Sequence, residues 1–144
     1  MPQVDFYLLD QHTPQGKLRC VCRLSQKVYA LGQTAYVHTC SAAETEHLDE
    51  LLWTFNQTSF VPHCRDHDFE TNVEAPVMIG HQLPPKTCHD VLISLIETIP
   101  GCFGGYQRVA DVVDNTPDDR ARARDRFRAY RDQGWDIHTH DIRV

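Results

Sequence analysis

Short apolar runs and amphipathic stripes take turns along the first half of the chain, and this alternation limits the fold more than any other feature. The run VDFYLL (4–9) suits a buried strand and is stopped by the polar turn DQHTPQGK. From Lys17, LRCVCRLSQKVYAL repeats Leu18, Val21, Leu24, Val28 and Leu31 with helical spacing, and Gly32 ends the stripe. TAYVHTC then reads as a second strand. Ser41 with Glu44 three residues on makes a capping box, and Leu48, Leu51, Leu52 and Phe55 continue as one face of a helix. Strand, helix, strand, helix in that order predicts a layered α/β/α domain, with a mostly parallel central sheet flanked by helices.

The later chain is less regular. NQTSFVPHCRDHDFETNVEAP is polar and contains proline, with one apolar island at Phe60 and Val61. Strands are expected at Val77 to Ile79 and Val91 to Leu95, between the breakers Gly80, Pro84, Pro85, Pro100 and Gly101. YQRVADVVD fits a helix or a helix running into a strand, and periodicity does not choose between them. Pro117 suits a first helical turn, Asp118 and Asp119 suit its positive dipole end, and Gly134 suits its stop after Arg131. WDIHTH, with period-two alternation, closes the pattern as an edge strand.

At 144 residues with 41% hydrophobic content, one domain with one core is expected. The opening residues lack a charged region before an apolar run, and no stretch approaches the roughly 18 apolar residues of a membrane span, so a cytoplasmic protein is expected. Four of the six cysteines sit in apolar stretches, as small core residues do, and reduced thiols are expected.

Chemistry-bearing motifs are sparse. The turn after the first strand holds one glycine, Gly16, and neither G-x-G-x-x-G nor G-x-x-x-x-G-K-[ST] occurs, so the phosphate cradle of nucleotide-binding α/β domains is missing. Gly101, Gly104 and Gly105 follow a predicted strand but lack a lysine at a fitted spacing. His63, Cys64 and His67, with His138 and His140 as a possible complement, are the nearest approach to a zinc set. No C-x-x-C accompanies them, and Cys20 and Cys22 diverge on a helix. The adjacent acids Asp49 and Glu50 fit a solvated helix face. No cofactor, metal or catalytic residue is expected.

The arginines stand apart from this background. RARARDRFRAYR (120–131) holds six of the 14 basic residues and one acid, Asp125; the remainder carries 8 basic against 19 acidic residues, a balance of −11. At about 100° per residue, Arg120, Arg124, Phe127, Arg128 and Arg131 share one sector, with Ala123, Phe127 and Tyr130 as its apolar edge. Arg122 and Arg126 are expected on the opposite, more solvated side. Guanidinium forks beside an aromatic platform suit a short acidic peptide ending in an apolar residue. A solvated face paired with Asp118, Asp119, Asp125 and Asp132, and direct single-stranded nucleic-acid binding with Phe127 stacking on bases, are the rival readings.

FYLLD, LDELLWTF followed by SFVPH, DVLISL, VADVVD and RARARDRFRAYRDQGWDI, in this order, resemble the chi subunit family of DNA polymerase III, over nearly the whole chain. The resemblance implies a Rossmann-like fold without a phosphate-binding loop, and a non-catalytic clamp-loader accessory subunit. It implies two partners: the psi subunit, and the acidic C-terminal tail of single-stranded DNA-binding protein, which ends in phenylalanine. By position, tail binding falls on Arg120, Arg124, Phe127 and Arg128, and psi binding on Trp53 and Phe60. DNA is reached only indirectly. Where Arg120 and Phe127 stand, the family often has lysine and tyrosine; an apolar wall that some relatives place just before the helix is replaced near Asn115 and Thr116, which predicts a shallower pocket. Trp53 also lies on the Leu48 and Leu52 face, so a core position competes with an interface.

Overall fold

The computed structural model describes residues 3–13, 15–54, 62–65, 76–81, 90–96 and 106–143. The elements are β1 (Gln3–Leu9), α1 (Gly16–Ala30), β2 (Ala35–His38), α2 (Ala42–Thr54), β3 (His63–Arg65), β4 (Val77–Gly80), β5 (Val91–Ser94), β6 (Arg108–Val113), α3 (Pro117–Asp132) and β7 (Asp136–Ile142). Among the described residues the strands form one seven-stranded sheet, in the order β3-β4-β2-β5-β6-β1-β7. Every pairing is parallel.

Helices cover both faces. α1 and α2 bury Leu18, Val21, Leu24, Leu48 and Leu52 against Val37, Ile79, Ile93 and Val112. α3 buries Ala123 and Tyr130 against Val4, Phe6, Val109 and Val113 on the other face. Strands β2, β4 and β5 are buried at every position, which is why they read as short continuous apolar runs rather than alternating ones.

The helix ends follow their local chemistry. Ser41 Oγ accepts from the Glu44 N–H at 3.2 Å, and the Glu44 carboxylate accepts from the Cys40 N–H at 3.0 Å. Gly32 and Gly134 take φ of 73° and 80°, which side chains rarely adopt, and they turn the chain out of α1 and α3. Leu31 departs from its expected place in the stripe: it caps α1 and is exposed, because the helix stops one residue earlier.

Two strands differ from the sequence reading. YQRVADVVD holds β6 and no helix; the strand is covered on both faces, so it shows no alternation, and the acid at its centre mimics an amphipathic pattern. β3 falls in the polar stretch after α2, where a three-residue edge strand with one neighbour has no apolar run to betray it. Phe55 and the glycines at 101, 104 and 105 lie outside the described residues.

Arg126 reverses its expected position. It is only 3% exposed, and its Nε and Nη2 donate to Asp111 Oδ2 and Oδ1 at 2.8 and 2.9 Å. The helix rotates Arg126 into the sheet, where Asp111, in the middle of β6, compensates the buried guanidinium with a bidentate carboxylate. Arg122 lies on the flank, with Asp119 Oδ1 at 3.5 Å.

A second buried carboxylate tethers the edge. Asp5 accepts from Arg108 Nε at 2.7 Å and Gln3 Nε2 at 3.0 Å, and lies 3.1 Å from His140 Nε2 on β7. Burial alone pushes its pKa up, but the hydrogen bonds from Arg108, His140 and Gln3 outweigh it and hold the carboxyl below its usual range.

Two stability outcomes follow. Arg126→Ala strands Asp111 and should cost about 3–5 kcal/mol in urea unfolding, whereas Arg124→Ala should change stability by less than about 0.5 kcal/mol. A carboxylate with a depressed folded pKa stabilises above its unfolded value of about 3.9 and loses that contribution as pH falls through the folded value. The stability gap between the wild type and Asp5→Asn should therefore be constant above about pH 5 and shrink in more acidic buffer; a gap that widens on acidification would contradict the Asp5 assignment.

Candidate functional site

α3 starts from a tightly fixed turn. Thr116 Oγ1 accepts from the Asp119 N–H at 3.2 Å, Pro117 fills the first turn, and Asp119 Oδ2 accepts from the Asp114 N–H at 2.7 Å. Asn115 Nδ2 donates to the Asp10 carbonyl at 2.6 Å, tying the same turn to the end of β1. With Arg126 locked on β6, the helix has little freedom to roll.

That anchorage opens a cleft of about 320 Å³ along one flank of α3. Phe6 and Leu8 of β1 and Val113 of β6 supply apolar walls, Ala123 leaves room between them, and Thr139 of β7 closes the far side. Arg120, Arg124 and Phe127 line the helix side. Phe127 is 37% exposed, with its ring 5.9 Å from that of Phe6. Tyr130 packs edge-on to Phe6 at 6.0 Å and against Trp135 at 5.7 Å, supporting the platform from below.

The structure thus brings together Arg120, Arg124 and Phe127. Arg128 stands outside the lining, exposed and 3.3 Å from Asp125. Arg131 likewise has Asp132 at 3.6 Å. Among the described residues, no carboxylate lies within 4 Å of Arg120 or Arg124, so the solvated-pair reading does not extend to the two guanidiniums at the cleft. Phe6, Leu8 and Val113 were missed as site residues. Their signal was present in FYLLD: the alternate positions Phe6 and Leu8 share one sheet face, and parallel pairing sets Leu8 beside Val113. The apolar wall comes from the sheet rather than from the segment before α3.

Trp53 sits at the end of α2, 60% exposed, with its ring 5.2 Å edge-on from His63 of β3. It is not a core residue. Asp49 Oδ1 lies 3.2 Å from His63 Nε2 and joins α2 to this edge. Phe60 lies outside the described residues, as do His67 and the side chain of Cys64. His63 and the pair His138 and His140 stand on opposite edge strands, so they cannot share a metal. Among the described residues, no group of three His, Cys, Asp or Glu side chains could hold one.

The crevice where doubly wound folds hold phosphates carries paired carboxylates here. β1 leads through α1 towards β2 on one face and β6 leads through α3 to β7 on the other, so the switch point lies between the ends of β1 and β6. Asp114 lies 2.6 Å from His12 Nδ1, and Lys17 Nζ is 3.5 Å from Asp119. The neighbouring hollow of about 290 Å³ is lined by Thr13, Lys17, Glu44, His47 and Asp114 among others, two carboxylates beside one lysine and one histidine. Burial pushes the Cys20 and Cys22 thiols up to about 11 and about 12, which keeps both protonated and unreactive near neutrality.

A family model described as DNA polymerase III chi subunit, HolC, matches residues 1–138. The chain belongs to this family. DNA polymerase III subunit chi of Pseudomonas aeruginosa is 38% identical over 142 residues, spanning 99% of this chain and 98% of the relative. The Escherichia coli K12 subunit is 29% identical over 144 residues, with 96% and 97% covered. That of Haemophilus influenzae is 25% identical over 140 residues, with 95% of each covered. Among solved structures, T4 UvsW superposes with a TM-score of 0.68 at 10% identity, over 98% of this chain and 41% of that one; the likeness is one of fold. The chi-family chain is thus an accessory subunit of the replicative polymerase. Among its described residues no helix is long and apolar enough to cross a membrane.

The two tryptophans provide a check on this geometry. Trp135 is 9% exposed, so iodide should quench a Trp135→Phe variant, which retains Trp53, several times more strongly than a Trp53→Phe variant. Equal quenching would contradict the exposed placement of Trp53.

Proposed function

We propose that this chi-family chain is a non-catalytic, single-domain adaptor of the DNA polymerase III clamp loader, acting in the cytoplasm. In this reading the α3 cleft holds the acidic C-terminal tail of single-stranded DNA-binding protein. The observation that carries it is the pairing, in one cleft, of an apolar floor with two guanidiniums that have no carboxylate partner among the described residues. The terminal ring of the tail enters between Phe6, Leu8, Val113 and Phe127. Arg120 and Arg124 meet the terminal carboxylate, and Arg128 meets an aspartate before it. Arginine suits both tasks, because its planar fork binds carboxylates bidentately and sheds water more readily than lysine.

The psi subunit is assigned to Trp53 with Phe60. An exposed tryptophan on a fixed helix is a recurrent interface anchor. Its edge strand β3 and the cleft's edge strand β7 are six strand steps apart, about 29 Å at about 4.8 Å each. The two partners therefore have separate surfaces.

In fluorescence anisotropy, a labelled acidic peptide ending in Pro-Phe should bind, more weakly at higher salt, and the same peptide without its phenylalanine should lose most of its affinity. Arg124→Glu should lower affinity at least about tenfold without changing the unfolding midpoint appreciably. Full binding by that variant would overturn the cleft assignment. Retention of single-stranded DNA by the chain alone, with the peptide silent, would favour direct nucleic-acid binding instead.

A further inference from the structure

The histidines of β7 belong to neither surface described above. β7 is an edge strand, paired with β1 alone among the described residues. Side chains two apart on a strand share one face, about 6.6–6.8 Å from each other, so His138 and His140 project side by side. No other two of the nine histidines stand two apart in the sequence. Both are exposed, in the row of Ile142, which packs towards the α1 and α2 side of the sheet; Thr139 between them points the other way, into the cleft. The two rings are held differently. His140 lies flat on Tyr7, with centroids 4.9 Å and planes 17° apart, and its Nε2 lies 3.1 Å from Asp5 Oδ1. Arg108 and Gln3 donate to Asp5 Oδ2, so Oδ1 is left to the imidazole. A carboxylate at Nε2 keeps the proton there and leaves Nδ1 as a lone-pair donor. His138 makes no hydrogen bond or ion pair among the described residues.

We propose that His138 and His140 form a binding site for a divalent transition-metal ion of the zinc, nickel and copper(II) class. His140 is the fixed donor, through Nδ1, and His138 turns to meet the same ion. Two neutral imidazoles suit this class, whereas calcium and magnesium take oxygen ligands. The buried Asp5 behind His140 is the support that metal-bound imidazoles require: a carboxylate on one ring nitrogen fixes the ring and raises the basicity of the other. Two ring nitrogens at about 2.0–2.1 Å from the ion leave its other positions to water. The site is an open chelate rather than a closed structural centre, in keeping with the lack of a three-ligand group among the described residues. Asp136, exposed in the same row, and Asp141 beside His140 draw cations to this edge. Through His140 and Asp5 the bound ion also ties β7 more firmly to β1.

The test uses the full chain and the metals alone. Copper(II) is paramagnetic, and far below one equivalent it should first broaden the amide signals of residues 136–142 and 3–7. Broadening that begins around His12 and His47, or around His63, would overturn the proposal. In zinc calorimetry near neutral pH, His138→Ala and His140→Ala should each weaken binding at least about tenfold, because either change leaves a single imidazole and no chelate. Zinc should also raise the Tm of the wild type and not that of His138→Ala. The His138 ring has no described partner, so this variant should keep the metal-free Tm, and its loss of zinc then reports the site rather than the fold. Undiminished zinc affinity in His138→Ala would overturn the chelate. In the metal-free chain, nitrogen-15 spectra of the imidazoles should show His140 protonated at Nε2; a proton at Nδ1 would overturn the choice of ligating atom.

Discussion

The buried pair of Asp111 and Arg126 sets the geometry on which the site depends. Two parallel hydrogen bonds of 2.8 and 2.9 Å define both the height of α3 on β6 and its rotation about its own axis. Residues adjacent to Arg126 are turned by about 100°, so fixing that guanidinium in the core directs Phe127 to the cleft edge and Arg124 to its mouth. A buried ion pair adds little net stability over well-packed apolar groups, because desolvation offsets most of the attraction. What it supplies here is a single rotational state, since any other roll leaves a charge uncompensated. Burial works against ionisation of Arg126, but the adjacent carboxylate of Asp111 outweighs it and holds the guanidinium charged.

The sheet does the rest of the positioning. Its parallel order sends α1 and α2 to one face and α3 to the other, and places Trp53 and the cleft at opposite edges. The carboxylates at the switch point, Asp114 and Asp119, are part of the fixture that starts α3: Asp119 accepts from the Asp114 N–H and Asp114 accepts from the Asn115 N–H. A position that serves ligands in related architectures thus serves here to hold the arginine helix in place.

Much of this was legible in the sequence, for reasons that differ by element. α1, α2 and α3 announce themselves through stripes, caps and stops: Gly32, the Ser41 and Glu44 box, Pro117 and Gly134 all act as their chemistry requires. The family signature points to Arg120, Arg124, Phe127 and Arg128; the first three line one cleft and Arg128 stands outside it. β6 was ambiguous because a strand buried on both faces carries no period, and its central acid points into a core whose partner lies fifteen residues on. The same long-range pairing hid the burial of Arg126: a helical wheel orders residues by angle but does not say which sector meets a buried carboxylate. The cleft walls were hidden for a related reason. Phe6, Leu8 and Val113 become neighbours only when β1 and β6 pair in parallel, a contact between residues about a hundred positions apart.

The central claim is that the cleft beside α3 receives the terminal ring of an acidic tail, and the location of that ring tests it most directly. Intermolecular nuclear Overhauser effects between the terminal phenyl protons of an acidic peptide and the methyl groups of this chain would report it without reference to affinity. The account predicts effects to Leu8, Val113 and Ala123 together. Effects to Leu31 or to residues of α2 instead, with those three methyls silent, would contradict it.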